Sequence, residues 1–179
     1  MRLNTAVRDV RTIKKLLSRA ETEAQQAGES LPGAEHLLLS ALALPDGSGR
    51  RAFERVGADP DQFRTAIAAQ HADALRAIGI EPPDDAALDA AIGSDTPSPT
   101  GAFRSNASAR SAFQAASKMA RSDGSSRLIG AHVVAAVAQL EHGTAPRALT
   151  AMGIDRAALA AAARAEASRE RRQPTRQQT

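Results

Sequence analysis

Cysteine is absent from this sequence, as are tryptophan and tyrosine, and four phenylalanines are the whole aromatic complement. Without cysteine there is no disulfide frame, no thiol nucleophile and no zinc–thiolate site. With aromatics at 2% and apolar residues at 42%, a core must be built from Ala, Leu, Val and Ile. That favours closely packed helices over a sheet, whose strands draw on aromatic and β-branched residues. No apolar run approaches the roughly 20 residues needed to cross a bilayer. The start, Met1-Arg2-Leu3-Asn4, leads into a charged segment rather than a secretory apolar stretch. A soluble protein of a reducing, cytoplasmic compartment is the expectation. The signatures of several chemistries are also missing. There is no Gly-Lys dipeptide for a phosphate-cradling loop, no Gly-x-Ser-x-Gly elbow, and no His-x3-His or His-Glu-x2-His spacing for a metal. Paired carboxylates at Asp84-Asp85 and Asp59-Asp61 lie in proline-containing loops with no apolar run to raise a pKa. No catalytic residue, metal ligand or cofactor is expected.

What is present is 179 residues, enough for one domain or two small fused modules. The net charge of +3 is unevenly placed. From Arg164 onward five arginines (164, 169, 171, 172 and 176) face only Glu166 and Glu170, which accounts for the whole excess and leaves the body neutral. A neutral body lacks the positive face that phosphate binding demands. Nucleic-acid binding through the arginine-rich end is thus the lesser expectation, weakened further by the lack of aromatics for base stacking.

An internal repeat organises the chain. Gly28 pairs with Gly124, His36 with His132, Gly47 with Gly143, Arg51-Ala52 with Arg147-Ala148, Gly57 with Gly153 and Asp59 with Asp155, every pair 96 positions apart. Apolar character keeps the register at Leu17 and Phe113, Leu37 and Val133, Phe53 and Leu149, and Phe63 and Leu159. Within the first copy, Ala6, Val10, Ile13, Leu17, Ala20, Ala24 and Ala27 recur at the three- and four-residue steps of a buried helical stripe. Gly28 ends that helix. A short apolar helix spans 34–44, Ser48 opens a third running to Val56, Gly57 closes it, and Asp59 caps a fourth with Pro60 at its first position. The second copy repeats the plan from about Ala107. The expected fold is all-α, a pseudo-twofold double repeat of four-helix units in one domain. Its boundaries are a first repeat at 1–70, a linker at 71–105 with a short helix at 86–92, a second repeat at 106–167, and a basic disordered tail at 168–179.

Gly33-Ala34-Glu35-His36-Leu37-Leu38-Leu39 and the later segment Arg51 to Asp59 resemble the N-terminal domain of the Clp ATPase chaperones. That family is a double repeat of four-helix units carrying Gly-Thr-Glu-His-Ile/Leu-Leu-Leu. The second copy keeps Gly130-Ala131-His132-Val133-Val134 and Leu149 to Asp155, and the resemblance extends over most of residues 6 to 166. It implies a domain that receives substrates or adaptor proteins ahead of an ATPase ring. It also implies, in the ClpC branch, a site for phosphorylated arginine and for cyclic peptide antibiotics. Lacking a phosphate loop, the chain looks like a stand-alone N-domain, with peptides, adaptors, or Clp ATPase and protease components as expected partners.

By that resemblance Gly33, Ala34 and Glu35 form the candidate ligand site. Glu35, in the opening turn of its helix, is read either as a carboxylate for a guanidinium or amino group or as a plain capping interaction. The equivalent positions Ile129, Gly130 and Ala131 form a degraded copy, because Ala131 stands where Glu35 does. His36 and His132 are read as structural imidazoles bonded to a carbonyl or helix end, and Gly57, Gly153, Asp59 and Asp155 as structural turn and cap residues.

Overall fold

The computed structural model describes residues 3–79, 104–124 and 127–172, with side chains from Asp9 onward. The linker helix expected at 86–92 and the last residues, 173–179, lie outside them. Eight helices and no strands are found among the described residues: α1 (Leu3–Gln26), α2 (Ala34–Leu42), α3 (Ser48–Arg55), α4 (Gln62–Ala77), α5 (Ala107–Ser122), α6 (Gly130–Ala138), α7 (Thr144–Ala151) and α8 (Arg156–Arg172). The 96-residue register survives in three dimensions. Shifting α2 and α3 by 96 gives the bounds of α6 and α7, and the glycine pairs 28/124, 47/143 and 57/153 all take positive φ.

The apolar runs of α2 and α6 explain the centre of the molecule. Leu37 and Leu38 of α2, and Val133, Val134 and Val137 of α6, are fully buried, and α2 packs directly on α6. Around this pair α1 lies on α2 and α5 on α6, while α3 crosses to pack on α8 and α7 crosses to α4. Each repeat is therefore completed by helices of the other, which is why one core cluster runs through both. The scarce aromatics are spent at one joint: Phe53 of α3 and Phe63 of α4, both fully buried, meet edge to face with centroids 6.3 Å apart. Polar bonds fix register. Ser40 Oγ donates to the Leu16 carbonyl in the interior (2.7 Å), and on the surface Arg50 reaches Asp61 through two nitrogens (2.9 and 2.7 Å).

Four expectations need correcting. In α1 the buried face is Leu16, Ala20, Glu23 and Ala24, with Val10 67% exposed, so the stripe is rotated from the one read through Val10 and Leu17. The first boundary falls inside α4, which continues to Ala77. Residues 168–172 are not a disordered tail but the last turn of α8, held by Arg171 donating to the Asp123 carbonyl (2.9 Å). Asp59 does organise the fourth helix, accepting from the Asp61 amide (2.9 Å), but Pro60 and Asp61 form a turn and the α-helix proper starts at Gln62. Asp155 plays the cleaner role, accepting from the Ala157 and Ala158 amides at the head of α8.

Candidate functional site

The start of α2 is packed under the start of α5. Gly33, Ala34 and Glu35 are all buried, Glu35 at 4% exposure. The Ala34 amide donates to Ser108 Oγ (3.0 Å), and the Asn106 amide donates to the Pro32 carbonyl (3.1 Å). A Cβ on Gly33 would lie 1.8 Å from Glu35 Oε1 and 3.0 Å from Asn106 Nδ2, so the carboxylate folds back over this glycine and would have to shift for any larger residue. Glu35 is therefore an interior group and not the open first-turn carboxylate that its sequence position suggests.

At the start of α6 the arrangement differs. Asp46 accepts from the Gly130 amide (3.3 and 3.4 Å), and Ser48 Oγ accepts from the Ala131 amide (2.8 Å) while donating to Asp46. A helix N-terminus attracts an anion; here the chain's own carboxylate occupies that place. Ile129, Gly130 and Ala131 are buried, and a Cβ on Gly130 would come within 2.8 Å of the Ala41 carbonyl. That close approach explains glycine where the family motif has threonine.

The paired histidines share one geometry. His36 Nδ1 accepts from the Gly33 amide (3.0 Å), and His132 Nδ1 accepts from the Ile129 amide (3.3 Å), each closing the helix end from its third position. An accepting Nδ1 leaves the proton of the neutral ring on Nε2. Both Nε2 atoms are buried without a hydrogen bond, His36 Nε2 lying 3.9 Å from Glu29 Oε1 and His132 Nε2 3.5 Å from Asp123 Oδ2. Burial pulls the His132 pKa below the ordinary imidazole value, only partly offset by the nearby Asp123. Glu29, Glu35 and His36 bring ligand-type atoms within 4.8 Å of one another. The set does not fit a metal centre: Nδ1 is engaged by an amide and Nε2 carries the proton, so His36 has no lone pair to give.

The concave feature that sequence reading missed is a groove of about 690 Å³ between α1, α2 and α4. Leu39 and Ile67 line its floor, Ala27, Ala68 and Ala72 its walls, and Ile78, 71% exposed, stands at its mouth. Its polar groups sit in two clusters. Glu23, 4% exposed, is paired with Arg64 and with Arg19 (3.5 Å). Glu29 lies between His36 and His71, the latter 3.5 Å away. The available signal was the run of small residues in α4, which reads equally well as an exposed helix face.

A second hollow, about 540 Å³, lies where the two repeats meet, lined by Gly57 and Asp59 together with Gly153 and Asp155. Asp59 and Asp155 are committed to the amides described above, so this junction is built from helix caps.

The Clp repeat (R) N-terminal domain family model matches residues 11–89. Among curated proteins, the chloroplastic chaperone ClpC1 of Oryza sativa subsp. japonica is 36% identical over 66 residues, 37% of this chain and 7% of that protein. The chloroplastic chaperone ClpC of Pisum sativum is 41% identical over 54 residues, 30% of this chain and 6% of that protein. The chain thus matches only a small fraction of those relatives' length. Among solved structures, the N-terminal domain of the caseinolytic protease associated chaperone ClpD from Arabidopsis thaliana has a TM-score of 0.58 at 21% identity, covering 87% of this chain and 92% of that one. Sequence carries the likeness to the Clp repeat N-terminal domain through residues 11–89, and fold carries it through both repeats, so the chain has the all-helical double-repeat architecture of that domain.

Proposed function

We infer that this protein works by binding, not by catalysis: it is a chaperone N-domain-like module that takes up peptide segments of substrate or adaptor proteins in the service of a Clp ATPase or protease. The observation that carries this is the family match over residues 11–89 together with a groove opening from that same repeat. Regulation of chaperone–protease activity and sequestration of cyclic peptides are finer roles that the same surface would serve, and a cytoplasmic setting suits a chain without cysteine.

The phosphoarginine version of this reading has little support, because Ala34, Gly130 and Ala131 give their amides to partners within the chain. The nucleic-acid alternative has little support too: Arg169 pairs with Glu166 (3.6 Å) and Arg171 donates to the Asp123 carbonyl. The test is surface plasmon resonance of the whole chain against a permanently unfolded client, reduced and carboxymethylated α-lactalbumin, and against an isolated Clp ATPase. Saturable binding to at least one is expected. Flat responses to both would overturn the reading.

A further inference from the structure

The groove between α1, α2 and α4 has three properties that define its occupant. Its walls are alanines, 27 just past the end of α1 and 68 and 72 on α4, so it offers apolar space without filling it. The bulk has to come from the ligand, since this chain has only four aromatic residues and two of them, Phe53 and Phe63, are locked in the core. Glu29 on the rim is 32% exposed; the His71 and His36 imidazoles lie 3.5 and 3.9 Å from it, and among the described residues it has no ion pair with a lysine or arginine. Glu23 nearby already holds two guanidinium groups. Finally, His36 Nε2, on a side chain 1% exposed, is a buried donor lining the groove without an acceptor.

We propose that this groove docks a partner peptide in which a bulky apolar side chain neighbours a lysine or arginine, the apolar group filling the alanine-walled trough and the cation pairing with Glu29. The inference rests on the peptide-binding reading and adds the place and the chemistry. Apolar burial supplies affinity, and the carboxylate that no lysine or arginine of the described residues pairs with supplies selectivity by charge.

Fluorescence anisotropy with a labelled Gly-Ser-Lys-Phe-Leu-Ser-Gly peptide tests it. Two controls accompany the probe, one with lysine replaced by glutamate and one with Phe-Leu replaced by Ser-Ser. Wild type should bind the first at least about tenfold more tightly than either control. Glu29→Gln should erase the preference for lysine over glutamate while keeping the preference for Phe-Leu. Ala72→Trp, which fills the trough, should weaken the parent peptide about tenfold or more, and Ile78→Ser, at an exposed position that leaves the fold alone, should weaken it less. Thermal melts of each variant check folding. Parent binding unchanged in Glu29→Gln and Ile78→Ser would overturn the site yet leave a peptide-binding protein. No binding of any probe by wild type would overturn the site as well, while the unfolded-client measurement decides the wider reading on its own.

Discussion

The two repeats share a register but not a shape. In the second, α8 lies close along α6, burying Leu159, Ala160, Ala163 and Ala167; in the first, α4 buries only Phe63 and Ile67 and stands away from α2, leaving the groove. The cause is readable position by position. Ala163 and Ala167 of α8 correspond to Ile67 and His71 of α4, so α8 can approach its neighbour where α4 is held off by side-chain bulk. Glu166, 3% exposed, accepts from Arg51 (2.9 Å) and Arg55 of α3, and Arg169 adds a third cation. Its counterpart is Gln70, and Arg55's counterpart is Ala151, so no such clamp can form on the first side. Arg171 closes the end of α8 onto Asp123, whereas Leu75 at the matching place lines the open groove. The two copies thus differ in how closely their last helix is held against its neighbour.

The largest way to disturb this division is to remove what still holds α4. Phe63→Ala deletes a fully buried ring from its contact with Phe53 and should cost about 3–5 kcal/mol. Chemical denaturation measures it, and a loss below that range would mean that α4 collapses into the gap. Next comes the clamp on the other side. Burial alone would raise the Glu166 carboxyl, but hydrogen bonds from Arg51 and Arg55 outweigh it and hold the pKa below the usual carboxylate value. Glu166→Ala should cost about 1.5–3 kcal/mol, the range for hydrogen bonds to charged groups. The two freed arginines are partly exposed already, so the larger penalty of a stranded buried charge does not apply. Gln70→Ala, at the matching position, should stay within about 0.5 kcal/mol. Equal losses from the two substitutions would erase the contrast.

Much of this architecture was legible from the sequence. The glycine, histidine and aspartate pairs at a fixed separation carry information about backbone turns and helix caps, which are local. For that reason α2, α3, α6 and α7 begin and end close to where their patterns place them. What could not be read depends on distant partners. Leu16 and Leu17 serve equally well as a stripe until α2 is laid against one of them, and Leu16 is the one buried. Glu35 reads as a surface carboxylate until Asn106 and Ser108 close over the start of α2. Glu166 reads as part of a charged tail because Arg51 and Arg55 lie more than a hundred residues away.

Acid should expose a smaller difference, between buried histidine caps and their replacements. The folded-state pKa of His132 is depressed, by burial first, with Asp123, Asp46 and Asp9 pulling the other way. The unfolded chain, with an imidazole near 6.5, therefore takes up the proton more readily. Stability from this group is complete above about pH 6.5 and is lost as pH falls from there through the folded value. His132→Gln places at the third helical position a neutral side chain able to accept from the same amide. It should flatten this part of the pH profile while keeping most of the stability at pH 7.5. A profile as steep as that of the wild type would locate the acid sensitivity elsewhere.

A small global effect, and the one most specific to the open repeat, belongs to Arg64. Its guanidinium links α4 to Glu23 on α1, but the side chain is 55% exposed and Glu23 retains Arg19, so Arg64→Ala should cost no more than about 1 kcal/mol. Local stability is a different quantity, since an element can open without the rest of the fold following. With few buried residues beyond Ile67, α4 depends on this first-turn tie to anchor the turns that follow, whereas α8 is secured by its buried alanines and by Glu166. Amide exchange in Arg64→Ala should therefore quicken along 68–77 while 159–170 keeps its wild-type rate. If both helices quickened together, the molecule would open as one unit, and the groove side would have no independence for a ligand to exploit.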